Sequence, residues 1–143
     1  MSLVNLPEVF LDTDVAFDII SKREPFYIKS VTLLELALAG KIQLMLSESS
    51  LANLFYLCYD IYKIKDSNEK LLDLTSVCII LSGGKQATIS ALNSTFKDKE
   101  DGLQYFTALS GKADYLITRN KKDYTAKEVK LPVYTPTEFT QLF

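Results

Sequence analysis

Carboxylates hold most of this chain's chemical potential, and they are crowded. In "VFLDTDVAFD" an apolar, β-prone run ends on Asp12, and Asp14 and Asp18 follow closely. At about 4 Å and an effective dielectric near 20, two ionised carboxylates repel by roughly 4 kcal/mol. Such crowding where a core strand ends asks for a reason beyond folding. A second group, "KDKEDGLQYFTAL", sets Asp98, Glu100 and Asp101 at the opening of a helix. Acids suit that position by about 0.3–1 kcal/mol through the helix macrodipole. Gly102, however, lowers helix propensity beside Asp101 and leaves room for a ligand or another chain. A third group, "ADYLITRNKKDY", places Thr118, Arg119, Asn120, Lys121, Lys122 and Asp123 after another apolar run. Its cations, next to acids, would attract a phosphodiester backbone without making the whole chain basic.

Composition narrows the chemistry further. The 143 residues contain no His, which removes Ser-His-Asp and Cys-His catalysis and every His-ligated metal site. Acids, Lys, Arg, Tyr and hydroxyls remain. With 48% hydrophobic and 24% charged residues the balance is globular, and a net charge of -2 argues against a uniformly basic nucleic-acid coat. Cys58 and Cys78 lack metal or redox spacing and are expected as reduced thiols. "MSLVNLPEVF" carries no targeting pattern and no apolar run reaches a membrane span, so a cytoplasmic location with no membrane partner is expected. "SGGKQAT" is not a phosphate-binding loop, because Gln86 follows Lys85 and Ile79 stands where the first Gly belongs.

The elements that must position these groups alternate. Strands are expected over "EVFLDT", "KIQLMLS", "VCIILS", "ADYLIT" and "LPVYT". Helices are expected over "DVAFDIISKR", capped near Asp14, and "YIKSVTLLELALAG", closed by Gly40. Four more cover "ESSLANLFYLCYDIYKI", "SNEKLLDLTSV", "KQATISALNSTF" and "KEDGLQYFTALSGK", and "PTEFTQLF" closes the chain. In the long one, Leu51, Leu54, Phe55, Cys58 and Ile61 fall on one face. Asp18 is expected on a solvated face; Tyr59 and Tyr62 lie outside the apolar stripe and suit a homodimer surface. Short apolar strands between helices imply an α/β fold: one domain, residues 1–143, with a mainly parallel sheet of four to five strands inside an α/β/α sandwich. Ligands of such sheets bind beyond the carboxyl ends of the strands. That edge receives Asp12, Thr13 and Asp14 after the first strand, Ser47 and then Asn53 after the second, and Thr118 to Asp123 after the fourth.

Taken in order, "VFLDTDVAFDII", "LSESSLANLFYL", "KDKEDGLQYFTAL", "ADYLITRNKKDY" and "LPVYTPTEF" resemble the PIN domain over nearly the whole chain, nearest its bacterial branch of VapC-like toxins. The resemblance implies a divalent-metal-dependent endoribonuclease that uses Mg²⁺ or Mn²⁺, acts on RNA and is held inactive by an antitoxin protein. It implies Asp12, Asp101 and Asp123 as catalytic acids and Asn120 as a further metal ligand. Thr13, Ser47, Asn53, Thr118, Arg119 and Lys121 would meet substrate, with Asp14 and Glu100 behind the ligands. A cation between Asp12 and Asp101 would offset their repulsion, and Mg²⁺ needs only a few carboxylates because it keeps several waters. The chain departs from the family pattern at Asn53, where Glu is common, and at Asp14, where Asn is usual.

Two other readings compete. Asn53 in place of a carboxylate would suit a domain that binds RNA or a protein partner without cutting. "FLDTDV" also matches the D-x-D opening of haloacid-dehalogenase-like phosphatases, with Asp12 as nucleophile and Asp14 as acid, although the later acidic motif of that family is missing.

Overall fold

The computed structural model describes residues 5–143; the first four residues of the "MSLVNLPEVF" stretch, read above for targeting, lie outside the described residues. Five strands form one sheet: β1 (Glu8–Leu11), β2 (Gln43–Ser47), β3 (Cys78–Leu81), β4 (Tyr115–Ile117) and β5 (Val133–Tyr134). Their spatial order is β3-β2-β1-β4-β5 and every pairing is parallel. The sheet is therefore wholly parallel.

Among the described residues seven α-helices connect and cover it: α1 (Thr13–Ser21), α2 (Tyr27–Leu38), α3 (Glu48–Phe55), α4 (Ser67–Ser76), α5 (Gly84–Leu92), α6 (Lys99–Ser110) and α7 (Pro136–Thr140). Side chains alternate across a strand, so β1 feeds two cores at once. Val9 and Leu11 join a cluster with Val15, Ile19, Leu33, Leu54 and Phe139 on one face. Phe10 joins Met45, Phe96, Tyr105 and Leu116 on the other. Burial on both faces is why the strand reads as an unbroken apolar run, each large side chain contributing about 1.5–3 kcal/mol.

Three local expectations are corrected. Helix α1 starts at Thr13 with Asp12, not Asp14, in the cap position, and the Asp12 side chain makes no capping bond. The long third helix ends as α-helix at Phe55 and continues as a π-turn segment over Tyr56–Ile61. The extra residue per turn rotates the later positions and leaves Ile61 exposed; Phe55, still within α3, is exposed as well, while Leu54 and Cys58 are buried. Gly102 is buried, and a Cβ there would meet Phe96 Cγ at 3.2 Å and Ala91 Cβ at 3.4 Å. Its smallness admits the neighbouring helix α5, not a ligand. No helix among the described residues is long and apolar enough to cross a membrane.

The sheet order locates the site. From β1 the chain moves outward through β2 and β3, then returns to β4 and β5 on the other side of β1. The crevice between the carboxyl ends of β1 and β4 is the switch point of the sheet, where open parallel sheets bind ligands.

Candidate active site

Asp12 follows β1 at this switch point and is only 6% exposed. Its backbone holds it there: the Asp12 N–H donates to Ile117 O at 2.9 Å, extending the β1–β4 ladder by one step. The carboxylate then meets two neutral donors. Thr118 Oγ1 donates to Asp12 Oδ2 at 2.7 Å, and Gln104 Nε2 donates to Oδ1 at 3.1 Å. Burial raises the Asp12 pKa, and the Asp14 charge adds to the rise, while the bonds from Thr118 and Gln104 oppose it.

Gln104 is the functional residue that sequence reasoning missed. It links Asp12 to a buried hydroxyl network, because its Oε1 accepts from Thr13 N at 3.2 Å and from Ser50 Oγ at 3.0 Å. Ser50 in turn donates its N–H to Ser47 Oγ at 3.0 Å, which caps α3. Ser47 and Thr13, expected as substrate contacts, are instead buried members of this network. A signal for Gln104 existed: it lies three residues after Asp101 on α6, the spacing that puts two side chains on one helix face.

Asp101 sits in the first turn of α6, fixed by Asp98, whose Oδ1 accepts the N–H groups of Glu100 at 2.8 Å and Asp101 at 3.4 Å. Partial burial pushes the Asp101 pKa up to about 7, and the charges of Asp98, Asp12, Asp123 and Asp14 add to the rise. The three remote acidic segments therefore do converge. Asp101 and Asp123 line one cavity of about 470 Å³, and Asn53 and Glu100 line a second of about 150 Å³ with Thr13, Ser50 and Gln104. Asn120 is exposed, and its N–H donates to Thr118 Oγ1 at 3.2 Å. Tyr124, also unanticipated, is 4% exposed; its hydroxyl makes no well-aligned hydrogen bond among the described residues, although it faces the Asp12 carboxylate. Burial first, then the charges of Asp12 and Asp101, pushes its pKa far up, so it stays a neutral donor.

The cations behave differently from expectation. Arg119 Nε lies 2.7 Å from Asp18 Oδ2, and its guanidinium sits 4.1 Å from the centroid of the Phe26 ring. Asp18, expected on a solvated face, is wholly buried, and burial lifts its pKa to about 6 against the pull of Arg119. The contact is a close ion pair without aligned hydrogen bonds, since neither Asp18 oxygen nor Arg119 Nε is satisfied as donor or acceptor. Lys121 pairs with Glu138 at 3.2 Å. Arg119 is thus engaged within the fold, whereas Lys121 stays about half exposed in a surface ion pair. Asp14 is half-exposed and 4.0 Å from Arg119.

This arrangement suits an oxygen-seeking divalent cation. The Asp12 charge helps to raise the pKa of Asp101, and no basic group lowers either. Each Asp12 carboxylate oxygen keeps a free lone pair beside its hydrogen bond. Among the described residues no three His, Cys, Asp or Glu side chains form a ready-made cage. Mg²⁺ is commonly bound through one or two carboxylates plus waters, so Asp12 and Asp101 suffice as a starting pair.

A wholly parallel α/β/α sheet presenting clustered carboxylates at its switch point defines an acid-centred α/β domain. The PIN domain pattern matches residues 8–122, a span that includes Asp12 and Asp101, and the chain belongs to that family. It is similar to Ribonuclease VapC1 of Aquifex aeolicus (strain VF5), 27% identical over 143 residues and covering 96% of each chain. The fold is shared with a toxin–antitoxin complex from Klebsiella pneumoniae (TM-score 0.67, 22% identity, 90% of this chain and 97% of that one). It is also shared with DNA-bound VapBC from Salmonella typhimurium (TM-score 0.69, 16% identity, 92% and 99%).

Proposed function

We propose that this protein is a divalent-cation-dependent endoribonuclease and the toxin of a toxin–antitoxin pair. The observation that carries the reading is the convergence at the sheet switch point of Asp12, held by the neutral donors Thr118 and Gln104, and Asp101, with no salt bridge to either among the described residues. Membership of the PIN family and the likeness to Ribonuclease VapC1 support the substrate class. Asp12 and Asp101 would hold Mg²⁺ or Mn²⁺, with Asn120 and Asp123 as further oxygen donors. When bound, such a cation acidifies a water and stabilises charge on phosphoryl oxygens. Thr118 and Gln104 orient the Asp12 carboxylate, and Asp98 orients the helix turn that carries Asp101. In this reading residues 1–143 act as one domain in the cytoplasm, RNA is the substrate and an antitoxin protein is the partner. A homodimer would use the exposed Tyr59 and Tyr62.

The test is cleavage of single-stranded RNA by purified protein with Mn²⁺ or Mg²⁺. Asp12→Asn and Asp101→Asn should each reduce cleavage by about 100-fold or more, the scale on which removing a transition-state charge partner acts, with unfolding curves still cooperative. Wild-type rates in both variants would end the proposal.

One observation favours a non-cutting domain as second reading: Asn53 lines the cavity beside Glu100 without a charge. Asn53→Glu separates the two. Cleavage that emerges only in the variant supports a decayed site; cleavage already present in the unaltered chain removes that reading.

A further inference from the structure

Every residue lining the cavity between Asp101 and Asp123 comes from one of two chain segments, residues 95–101 and 122–127. Their inner ends are fixed by the fold, since Asp101 rides on α6 and Asp123 follows β4. Their outer ends meet where the Glu128 carboxylate reaches across to Thr95. It accepts twice there, from the Thr95 hydroxyl at 2.6 Å and from the Thr95 N–H at 2.9 Å. We propose that Glu128 is a positioning residue. By clasping Thr95 it holds the turn that carries Asp101 against the segment that carries Asp123, and so sets how well the two acids share a cation. The proposal rests on the cation-dependent reading and adds to it a residue that touches neither cation nor substrate.

The connection runs through bonded steps. Thr95 lies shortly before Asp98, whose Oδ1 accepts from Glu100 N at 2.8 Å and Asp101 N at 3.4 Å and so shapes the first turn of α6. On the other side Glu128 is itself anchored. Tyr105, fully buried and one helical turn beyond Asp101, donates its hydroxyl to Glu128 O at 3.2 Å and accepts from Lys130 N at 2.7 Å. The backbone at Glu128 is therefore pinned to the helix that bears Asp101, and its carboxylate is an arm from there to Thr95. Both bonds of that arm end on a charged acceptor, which makes them roughly twice as strong as neutral ones. The Thr95 hydroxyl keeps Glu128 ionised by lowering its pKa. Because the clasp is exposed to water, losing it leaves the fold standing and changes the geometry of the cavity wall.

The experiment is calorimetric titration of the metal-free protein with Mn²⁺, paired with amide hydrogen exchange. Glu128→Ala should weaken Mn²⁺ binding by about fivefold, less than the roughly 10–100-fold that follows loss of a ligand's direct hydrogen-bond partner. Amides of residues 93–98 should exchange about tenfold faster while the sheet stays protected and the unfolding midpoint holds. Thr95→Val, which removes one bond of the clasp, should weaken binding in the same direction, and the double variant no further than Glu128→Ala. Glu128→Gln should keep most of the affinity, because its amide can accept from the Thr95 N–H and donate to the Thr95 hydroxyl. Glu35→Ala, which removes an exposed acid on α2, should change nothing. Unchanged affinity or exchange in Glu128→Ala, an equal loss in Glu128→Gln or Glu35→Ala, or additive losses in the double variant would each overturn the proposal. A wild-type protein that binds no Mn²⁺ would overturn the cation-dependent reading and this proposal together. Wild-type binding matched by Glu128→Ala would overturn this proposal alone.

Discussion

Gln104 Nε2 donates a 3.1 Å hydrogen bond to Asp12 Oδ1, joining side chains 92 positions apart in the chain. The same amide accepts from the Thr13 N–H and the Ser50 hydroxyl through its oxygen. One neutral side chain thus ties α6 to the ends of β1 and β2 and sets the direction of the central carboxylate. Gln104→Ala orphans those buried donors and should destabilise the protein by about 2 kcal/mol in urea unfolding. Gln104→Glu should bind the cation more tightly than Gln104→Ala at neutral pH, because a further negative charge beside Asp12 attracts it; calorimetric titration with Mn²⁺ reads the difference.

Arg119 serves the fold. Arg119→Ala strands a fully buried Asp18 carboxylate and is expected to lower stability by about 3 kcal/mol. Asp18→Asn should lower it by only about 1 kcal/mol, since Arg119 keeps Asp14 at 4.0 Å and the Phe26 ring. A double-mutant cycle measured by chemical denaturation checks the coupling; additive losses would contradict the pairing.

The raised acids set a pH dependence with a definite sign. Asp101 titrates near 7 in the fold against an ordinary value of 3.8, so the native protein holds a proton that the unfolded chain has released. Metal-free stability should therefore fall as pH rises from about 4 to 7 and level off above, with Asp12 and Asp18 contributing in the same direction. Mn²⁺ must displace that proton, so its apparent affinity should rise by about tenfold per unit up to pH 7 and then flatten. Thermal melts across pH, with and without Mn²⁺, read both trends.

Tyr124 carries a buried hydroxyl that faces Asp12 without a well-aligned hydrogen bond among the described residues. Tyr124→Phe removes that unsatisfied group and should raise the stability of the metal-free protein by about 1 kcal/mol. A loss of stability of that size would mean that the hydroxyl is bonded within the site.

The alternation of strand and helix was legible along the chain because it depends on local periodicity, and so was the acidic edge, since Asp12 and Asp101 each end or open an element. Misreadings fell where geometry is non-local or a helix changes pitch. The π segment at Tyr56–Ile61 turned Ile61 outward although its spacing is helical. Asp18 looks solvated in sequence, because only the return of β4 beside β1 delivers Arg119 to it.

By itself, the order of apolar runs and turns determined a parallel α/β sheet with acids beyond its strands, and the absence of His limited the site to oxygen ligands. Tertiary structure alone decided which polar groups serve one another. It turned Gln104 and Thr118 onto Asp12, closed Arg119 onto Asp18, and left Lys97, Lys122 and Lys127 bordering the cavity. The reason is physical: burial makes an unpaired polar group expensive, and the partner that relieves it comes from whichever strand or helix the sheet order brings alongside.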